Sequence, residues 1–508
     1  MPHLMTRWAM VGAMLLTVAG CAASSSSASM TEVQARNLIS RILSDIENIY
    51  LRETNTSEVV TAGLDQVQAT YPDAKFIRQD DEIVASVGEE MAFSFKVGDD
   101  HGATDYWGDR IAATLEQVQR VQADDGGLTL KKLTDSFVQG VAEGLDYPAA
   151  YLPPEKVQRN RTPPAKGNGM LDLVLSQEPG GWLIERVRSP ALRESGLIRK
   201  GDLLLAIDGT PLKGASAIDM LLLLHGELGS PVELTVSRAD LDRPLTIRLQ
   251  REAPPKTAVE NHPEGSAFLV GVTWIDPRTL KNLRQAVTEK ATAPNAAFSG
   301  IILDLRGTVG GYLDSVVDLA DTFLEDGPIF STHGRHKESE QHFSATQKAP
   351  FPLPVVVLVD RYTGAGGEIA AAALQDSGHA VIVGSTSFGK GTIRAALPLP
   401  NGGVMNLPWT EVITASGYRL DKRGVMPTVC TGDDVTAEAV IAALRSGAGV
   451  IDRATRTRDI NPEDTAAVEA FRALCSPRED GADLSLEVAR AILADPDLFS
   501  QVLAAASR

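Results

Sequence analysis

The sequence predicts a layered α/β core preceded by a small β-rich unit, with helical regions at both ends of the chain. Three observations carry that prediction. From about 253 to 430, apolar runs such as "SGIILDLRG", "PVVVLVD" and "HAVIVGS" alternate with helical stretches such as "YLDSVVDLADTFL" and "GEIAAAALQD". That alternation belongs to a sheet with helices on its faces. From about 167 to 252, five short strands are bounded by turn residues. Residues 31–166 and 431–508 carry apolar residues mostly at helical spacing. At 508 residues the chain is too long for one ordinary core.

The first residues have a different composition. Arg7 precedes "WAMVGAMLLTVAG", which ends at Cys21 and is followed by "AASSSSAS". A basic start, a short apolar stretch and small residues before the processing point describe an export signal over 1–20. The stretch is too short for a comfortable membrane span. "VAGC" resembles a bacterial lipobox, which would make Cys21 the lipidated first residue and 21–30 a Ser-rich tether; a plain signal peptide cut nearby is the alternative. An exported, lipid-anchored protein facing the periplasm of a bacterium is expected. The 48 Lys+Arg against 66 Asp+Glu give a net charge of −18. This argues against nucleic acid or an anionic membrane reached by electrostatics.

In chain order, "MTEVQARNLISRILSDIENIYL" reads as a helix, "DEIVASVGEEMAFSFKV" as a strand pair, and "WGDRIAATLEQVQRVQ" and "LKKLTDSFVQGVAEGLD" as helices. Prolines in "YPAAYLPPE" end the last of these. "KVQRNRTPPAKGNG" reads as a linker. The strands "MLDLVL", "WLIERV", "DLLLAIDG", "VELTVSR" and "LTIRLQ", with a helix "SAIDMLLLLHGE" among them, form the unit 167–252. "SPALRESGLIRKGDLLLAIDGTPL" resembles a PDZ domain of the bacterial arrangement. Such a domain adds a peptide C-terminus to a sheet edge and holds its carboxylate on backbone N–H groups. Gly167, Asn168 and Gly169 would form that nest, with Met170 and Leu171 beginning the receiving strand. A β unit used only for packing is the alternative. "REAPPKTAVE" reads as a second linker.

Three segments of the core carry chemistry. In "LDLRGTVGGYLDS", glycines between a strand and a helix let backbone approach a substrate, and their N–H groups suit an oxyanion. In "VLVDRYTGAGGEIAAAALQD", a buried strand enters a tight turn and a helix, as in a nucleophile elbow, yet Ala365 stands at its centre. In "VGSTSFGKGTIR", Lys390 sits between glycines; it lacks the phosphate-loop pattern, and with a depressed pKa it can act as a general base.

Together these segments resemble the carboxy-terminal processing, or tail-specific, proteases, with the likeness running from about 133 to 428. The resemblance implies a Ser–Lys endopeptidase that needs no metal or cofactor and acts on protein or peptide C-terminal tails. It implies that Lys390 is the base and that Gly366 with Gly310 or Gly311 forms the oxyanion hole. The nucleophile position falls on Ala365, and the position of a glutamine that orients the lysine falls on Arg394. The chain as it stands is therefore expected to be inactive; a natural pseudoprotease that binds tails is the alternative to a processing enzyme. Arg394, a like charge, is expected to lower the pKa of Lys390.

Other candidates are weaker. Thr363 on the same turn should point elsewhere, and Ser385, Thr386 and Ser387 lie too close to Lys390 in the chain to meet it in line. Glu368 is read as favouring the start of its helix. Asp304 and Arg306 are read as a structural ion pair. His333, His336 and His342 match no standard zinc spacing, so no metal is expected. Cys430 and Cys475 are expected to pair in an exported chain, two free thiols being the alternative. The helical ends are candidates for contact between copies.

Overall fold

The computed structural model describes residues 29–507 except 81, 89, 98–103, 122–127, 148, 162–168, 179, 188, 213–219, 221–222, 242, 253–258, 262–266, 273, 292–298, 309, 347–350, 352, 433–434 and 478–483. The export signal, Cys21, Gly167 and Asn168 lie outside the described residues, as does half of the expected helix in "SAIDMLLLLHGE", whose end, His225–Gly226, is instead a short strand paired with Gly169–Met170.

The N-terminal region begins with a helix, Glu32–Ile49, whose start is fixed by a capping box between Thr31 and Gln34. Its stripe of Leu38, Ile39, Ile42, Leu43 and Ile46 is buried against Trp107, Ile111 and Leu115 of the helix Thr104–Val121. The expected strand pair is a three-stranded antiparallel sheet, because Ala74–Gln79 pairs with Glu82–Val87 beside Glu90–Lys96. The first residues of the expected linker, "KVQRNR", belong instead to a helix, Pro154–Arg161, which proline at its first position pre-sets.

The β-rich unit holds a six-stranded antiparallel sheet with Leu173–Glu178 at one edge, next to Gly181–Val187. Its core is formed by Trp182, Ile184, Leu204, Ile207, Leu234 and Val236.

The core sheet runs Val259–Asn261, Ala267–Gly271, Gly300–Asp304, Val355–Val359, Ala380–Gly384, Val429–Cys430. All its pairings are parallel except the first. The strand Val259–Asn261 lies in a stretch expected to be linker. Strand side chains alternate between faces. Ile301, Leu303, Val355 and Val357 therefore pack with the helices Leu313–Asp321 and Gly366–Asp376. Ile302, Val356, Leu358 and Val381 meet the C-terminal helices Leu484–Ala494 and Pro496–Ala506. The helical C-terminal region is thus the third layer of the core.

A second sheet, not foreseen as such, joins Gln341–Ser344, Pro328–His333, Val404–Thr414 and Thr392–Pro398, with Ala150–Leu152 also on Val404–Thr414. Leu399, Met405 and Leu407 of this sheet complete the core of the N-terminal helices. Residues 366–375 of the alanine-rich helix are all buried, which the small side chains permit.

Candidate active site

The turn after Val355–Val359 is locked by Asp360. Its Oδ1 accepts the amides of Gly307 at 2.8 Å and Tyr362 at 3.0 Å. The Thr363 hydroxyl donates to the Leu305 carbonyl at 2.9 Å and accepts from the Asp360 amide at 3.0 Å, so it is buried and occupied. The Gly364 amide reaches the Thr308 carbonyl at 2.7 Å. These bonds hold Ala365 at φ 48°, ψ −112°, immediately before the helix begins at Gly366. A residue with a Cβ in that region is strained by about 1–3 kcal/mol. The sharp turn of a nucleophile elbow is present, with a methyl group at its tip.

The oxyanion-hole candidates converge on that tip. As the first residue of its helix, Gly366 has an N–H with no acceptor inside the helix. A Cβ on Gly366 would stand 2.7 Å from Val316 Cγ2 and 3.3 Å from the Gly311 nitrogen, so only glycine lets the two backbones meet. Ile275 donates to the Gly310 carbonyl and accepts from the Tyr312 amide, which turns the Gly311 N–H away from Ile275. Aromatic rings flank the site. Trp274 lies beside Gly310 and against Tyr312, and Phe388 lies beside Gly364. Tyr312 and Phe388 are 63% and 58% exposed.

Glu368 departs most from its sequence reading. It is wholly buried, and it does more than favour a helix start. One carboxylate oxygen accepts the Ala365 amide at 2.9 Å and the Lys390 amide at 2.8 Å. The other accepts the Ser387 hydroxyl and the Gly389 amide, both at 2.5 Å. Burial pushes the Glu368 carboxyl above its usual range, and these four donors on two oxygens, the complement of an ionised carboxylate, oppose that rise. Through this one side chain the elbow and the lysine loop, 385–391, share an anchor. Ser387 also accepts from the Val425 amide at 2.7 Å, and Thr386 donates to the Cys475 carbonyl at 3.0 Å, so neither hydroxyl is spare.

Lys390 and Arg394 are exposed side chains by surface area, although protein packs around the charged end of each. Burial pushes the Lys390 amine below the ordinary lysine range, the Arg394 charge lowers it further, and Glu368 partly opposes both. Burial also lowers Arg394. An amine so placed is easier to hold neutral, as a base requires.

The β-rich unit touches the elbow directly. Arg186 Nη2 lies 3.2 Å from Asp360 Oδ2, and Arg361 Nη2 lies 3.4 Å from Glu185 Oε2. The Met170 amide and carbonyl are bonded to Glu252, and the Leu171 amide to Leu224; Gly169–Met170 pairs with His225–Gly226. The start of the expected receiving strand is thus already occupied. Among the described residues, Leu173–Glu178, downstream, is an edge strand of the sheet with a partner on one side only.

Asp304 and Arg306 form an ion pair at 2.6 Å. His333 pairs with Glu340 at 3.3 Å, and His336 Nδ1 accepts the Glu338 amide. Among the described residues, no group of three or more His, Cys, Asp or Glu could hold a metal. Cys430 and Cys475 are joined by a disulfide, with Cα atoms 5.7 Å apart. Among the described residues, no helix is long and apolar enough to cross a membrane.

A family model described as Peptidase family S41 matches residues 270–431, a stretch that holds the glycine pair, the elbow and the lysine loop. A carboxy-terminal-processing protease of Bartonella bacilliformis is 30% identical over 305 residues, 59% of this chain and 69% of that protein. The carboxy-terminal processing protease CtpB of Bacillus subtilis is 26% identical over 306 residues, 59% of this chain and 63% of that protein, a little under two thirds of its length. Among solved structures, the photosystem II D1 C-terminal processing protease is 21% identical with a TM-score of 0.48, over 78% of this chain and 92% of the other.

Proposed function

This chain belongs to the carboxy-terminal-processing proteases of peptidase family S41, and on that premise we propose that it captures protein C-terminal tails at a peptidase site whose cleavage step is silent. The observation that carries this reading is Ala365. It occupies the strained tip of the elbow, and the Thr363, Thr386 and Ser387 hydroxyls of the elbow and the lysine loop are already engaged.

With serine at 365, the chemistry would run in two steps. The hydroxyl oxygen would attack the scissile carbonyl carbon while Lys390 took its proton, and the N–H groups of Gly366 and Gly311 would hold the developing oxyanion. The amine would leave with a proton from Lys390, and water would then hydrolyse the acyl-enzyme. A methyl group cannot form the acyl bond. The sequence then stops at binding. Arg394 fits a silent site better than a working one, because a guanidinium has no acceptor with which to fix the direction of a lysine amine.

Recruitment falls to the β-rich unit, which we read as a PDZ domain (167–252) ahead of the core (253–430). A tail would add as a strand to Leu173–Glu178, with its carboxylate at the loop before Gly169. Trp274, Tyr312 and Phe388 favour apolar side chains beside the elbow. Cys21 would tether the protein to a bacterial membrane on its periplasmic side. The test is binding of the full chain to a peptide ending in small apolar residues, as free acid and as amide. The acid should bind tighter by about 1.5–3 kcal/mol, the scale of charge-assisted hydrogen bonds, and should be recovered uncut. Equal affinity for the two, or a cut peptide, would contradict the proposal.

A further inference from the structure

The lysine loop is gripped from a part of the chain some 80 residues downstream. Arg472 ends the helix Thr465–Arg472 and lies half-buried against the loop. Its Nη1 donates to the carbonyls of Ser387 at 2.7 Å, Phe388 at 3.3 Å, Lys422 at 3.3 Å and Arg423 at 3.2 Å. One nitrogen, sharing its two hydrogens, thus draws together the segments 387–388 and 422–423, which the Gly389 carbonyl also links by accepting the Lys422 amide at 2.8 Å. Three residues on, the Cys475 carbonyl accepts both the amide and the hydroxyl of Thr386, at 3.2 and 3.0 Å. The sulfur of Cys475 is bonded to Cys430. Cys430 ends the last strand of the core sheet, opposite Gly384, the residue before the loop begins.

The segment 472–475 therefore holds residues 386–388 and is itself riveted to the sheet from which the loop springs. Arg472 and Lys390 also feel the same anion, since the Glu368 charge raises the pKa of each against the lowering by burial. We propose that Arg472 is a positioning residue for Lys390, and that the Cys430–Cys475 disulfide holds Arg472 where it can act. The proposal rests on reading Lys390 as the base of the site. A guanidinium suits the task because its planar, rigid head fixes Nη1 among the four carbonyls, whereas a lysine ammonium rotates freely on a stem of different length and geometry.

The test uses variants that leave the local charge unchanged: Arg472→Lys, and Cys430→Ser with Cys475→Ser. The titration of the Lys390 amine is followed by NMR in the full chain with Ala365 in place, its signal identified by its loss in Lys390→Arg. Circular dichroism establishes that each variant is folded; if one unfolds, the other carries the comparison. In both, the loop relaxes and the amine gains water, so its midpoint moves up toward the ordinary lysine range. With Ala365→Ser added, acylation by a serine-directed probe falls about tenfold or more, since small misplacements of a catalytic group are costly. An unmoved Lys390 midpoint in folded variants overturns the proposal. A shifted midpoint without acylation of Ala365→Ser supports the positioning role while refuting the peptidase reading of the site. The two failures are therefore separable.

Discussion

Replacing Glu368 by glutamine tests whether one buried carboxylate joins the two halves of the site. The carboxylate satisfies three amides and one hydroxyl on two oxygens. The glutamine amide keeps one accepting oxygen and turns the other into a donor. The least costly orientation points the new NH2 at Ser387, whose hydroxyl can rotate to accept, and strands the Gly389 amide against another donor. An orphaned buried donor costs about 1–3 kcal/mol. The bonds to Ala365 and Lys390 fall from charge-assisted to neutral, a further loss of about 1 kcal/mol together, since charged hydrogen bonds are roughly twice as strong. Removing a fully buried charge returns part of this. The net loss is about 2–3 kcal/mol, or roughly 4–12 °C in melting temperature for a core of this size. Differential scanning calorimetry of the two proteins measures it. In an Ala365→Ser background the same change should slow acylation, because the anchor that the Lys390 amide shares with the elbow is weakened and the neighbouring Gly389 amide is stranded. A melting temperature within one degree of the parent, with acylation unchanged, would refute the reasoning.

Other outcomes follow from the same geometry. Ala365→Gly relieves a strained φ worth about 1–3 kcal/mol against a backbone-entropy cost of about 0.5–1 kcal/mol, so it should stabilise the chain by about 1 kcal/mol; a lower melting temperature would contradict the strained elbow. In Ala365→Ser, acylation should rise with pH and level off below the ordinary lysine range. Adding Arg394→Gln should move that midpoint to higher pH, because a like charge that disfavours protonated Lys390 is gone, while raising the plateau if the guanidinium misdirects the amine; an unmoved midpoint would remove Arg394 from the electrostatics of the site. Cys21→Ser should release the protein from the membrane fraction, and retention there would point to a protein partner as the anchor.

The elbow, the glycine pair and the lysine turn were legible because each is local: a strand, a turn rich in glycine, and a helix or second strand within about fifteen residues. Strand and helix alternation likewise revealed the core sheet. The role of Glu368 was not legible, since its partners Ser387, Gly389 and Lys390 lie 19–22 residues away and meet it only after the lysine loop folds back. Arg472 was hidden for the same reason at greater range. The second sheet escaped notice because "VMNLPWTEVIT" contains Pro408 and is mostly buried, without the strict alternation that marks a half-exposed strand. Ile302, Val356 and Leu358 signal a sheet buried on both faces, but a buried strand does not say which helices cover it.

The most direct measurement is the intact mass of the chain and of Ala365→Ser after exposure to a serine-directed acylating probe. The account predicts no adduct on the chain as it stands, a single adduct at position 365 in Ala365→Ser, and loss of that adduct when Lys390→Ala is added. An adduct on the unaltered chain would place the nucleophile elsewhere. A serine at 365 that stays unlabelled at every pH would mean that the glycines and lysine around the elbow no longer form a catalytic site.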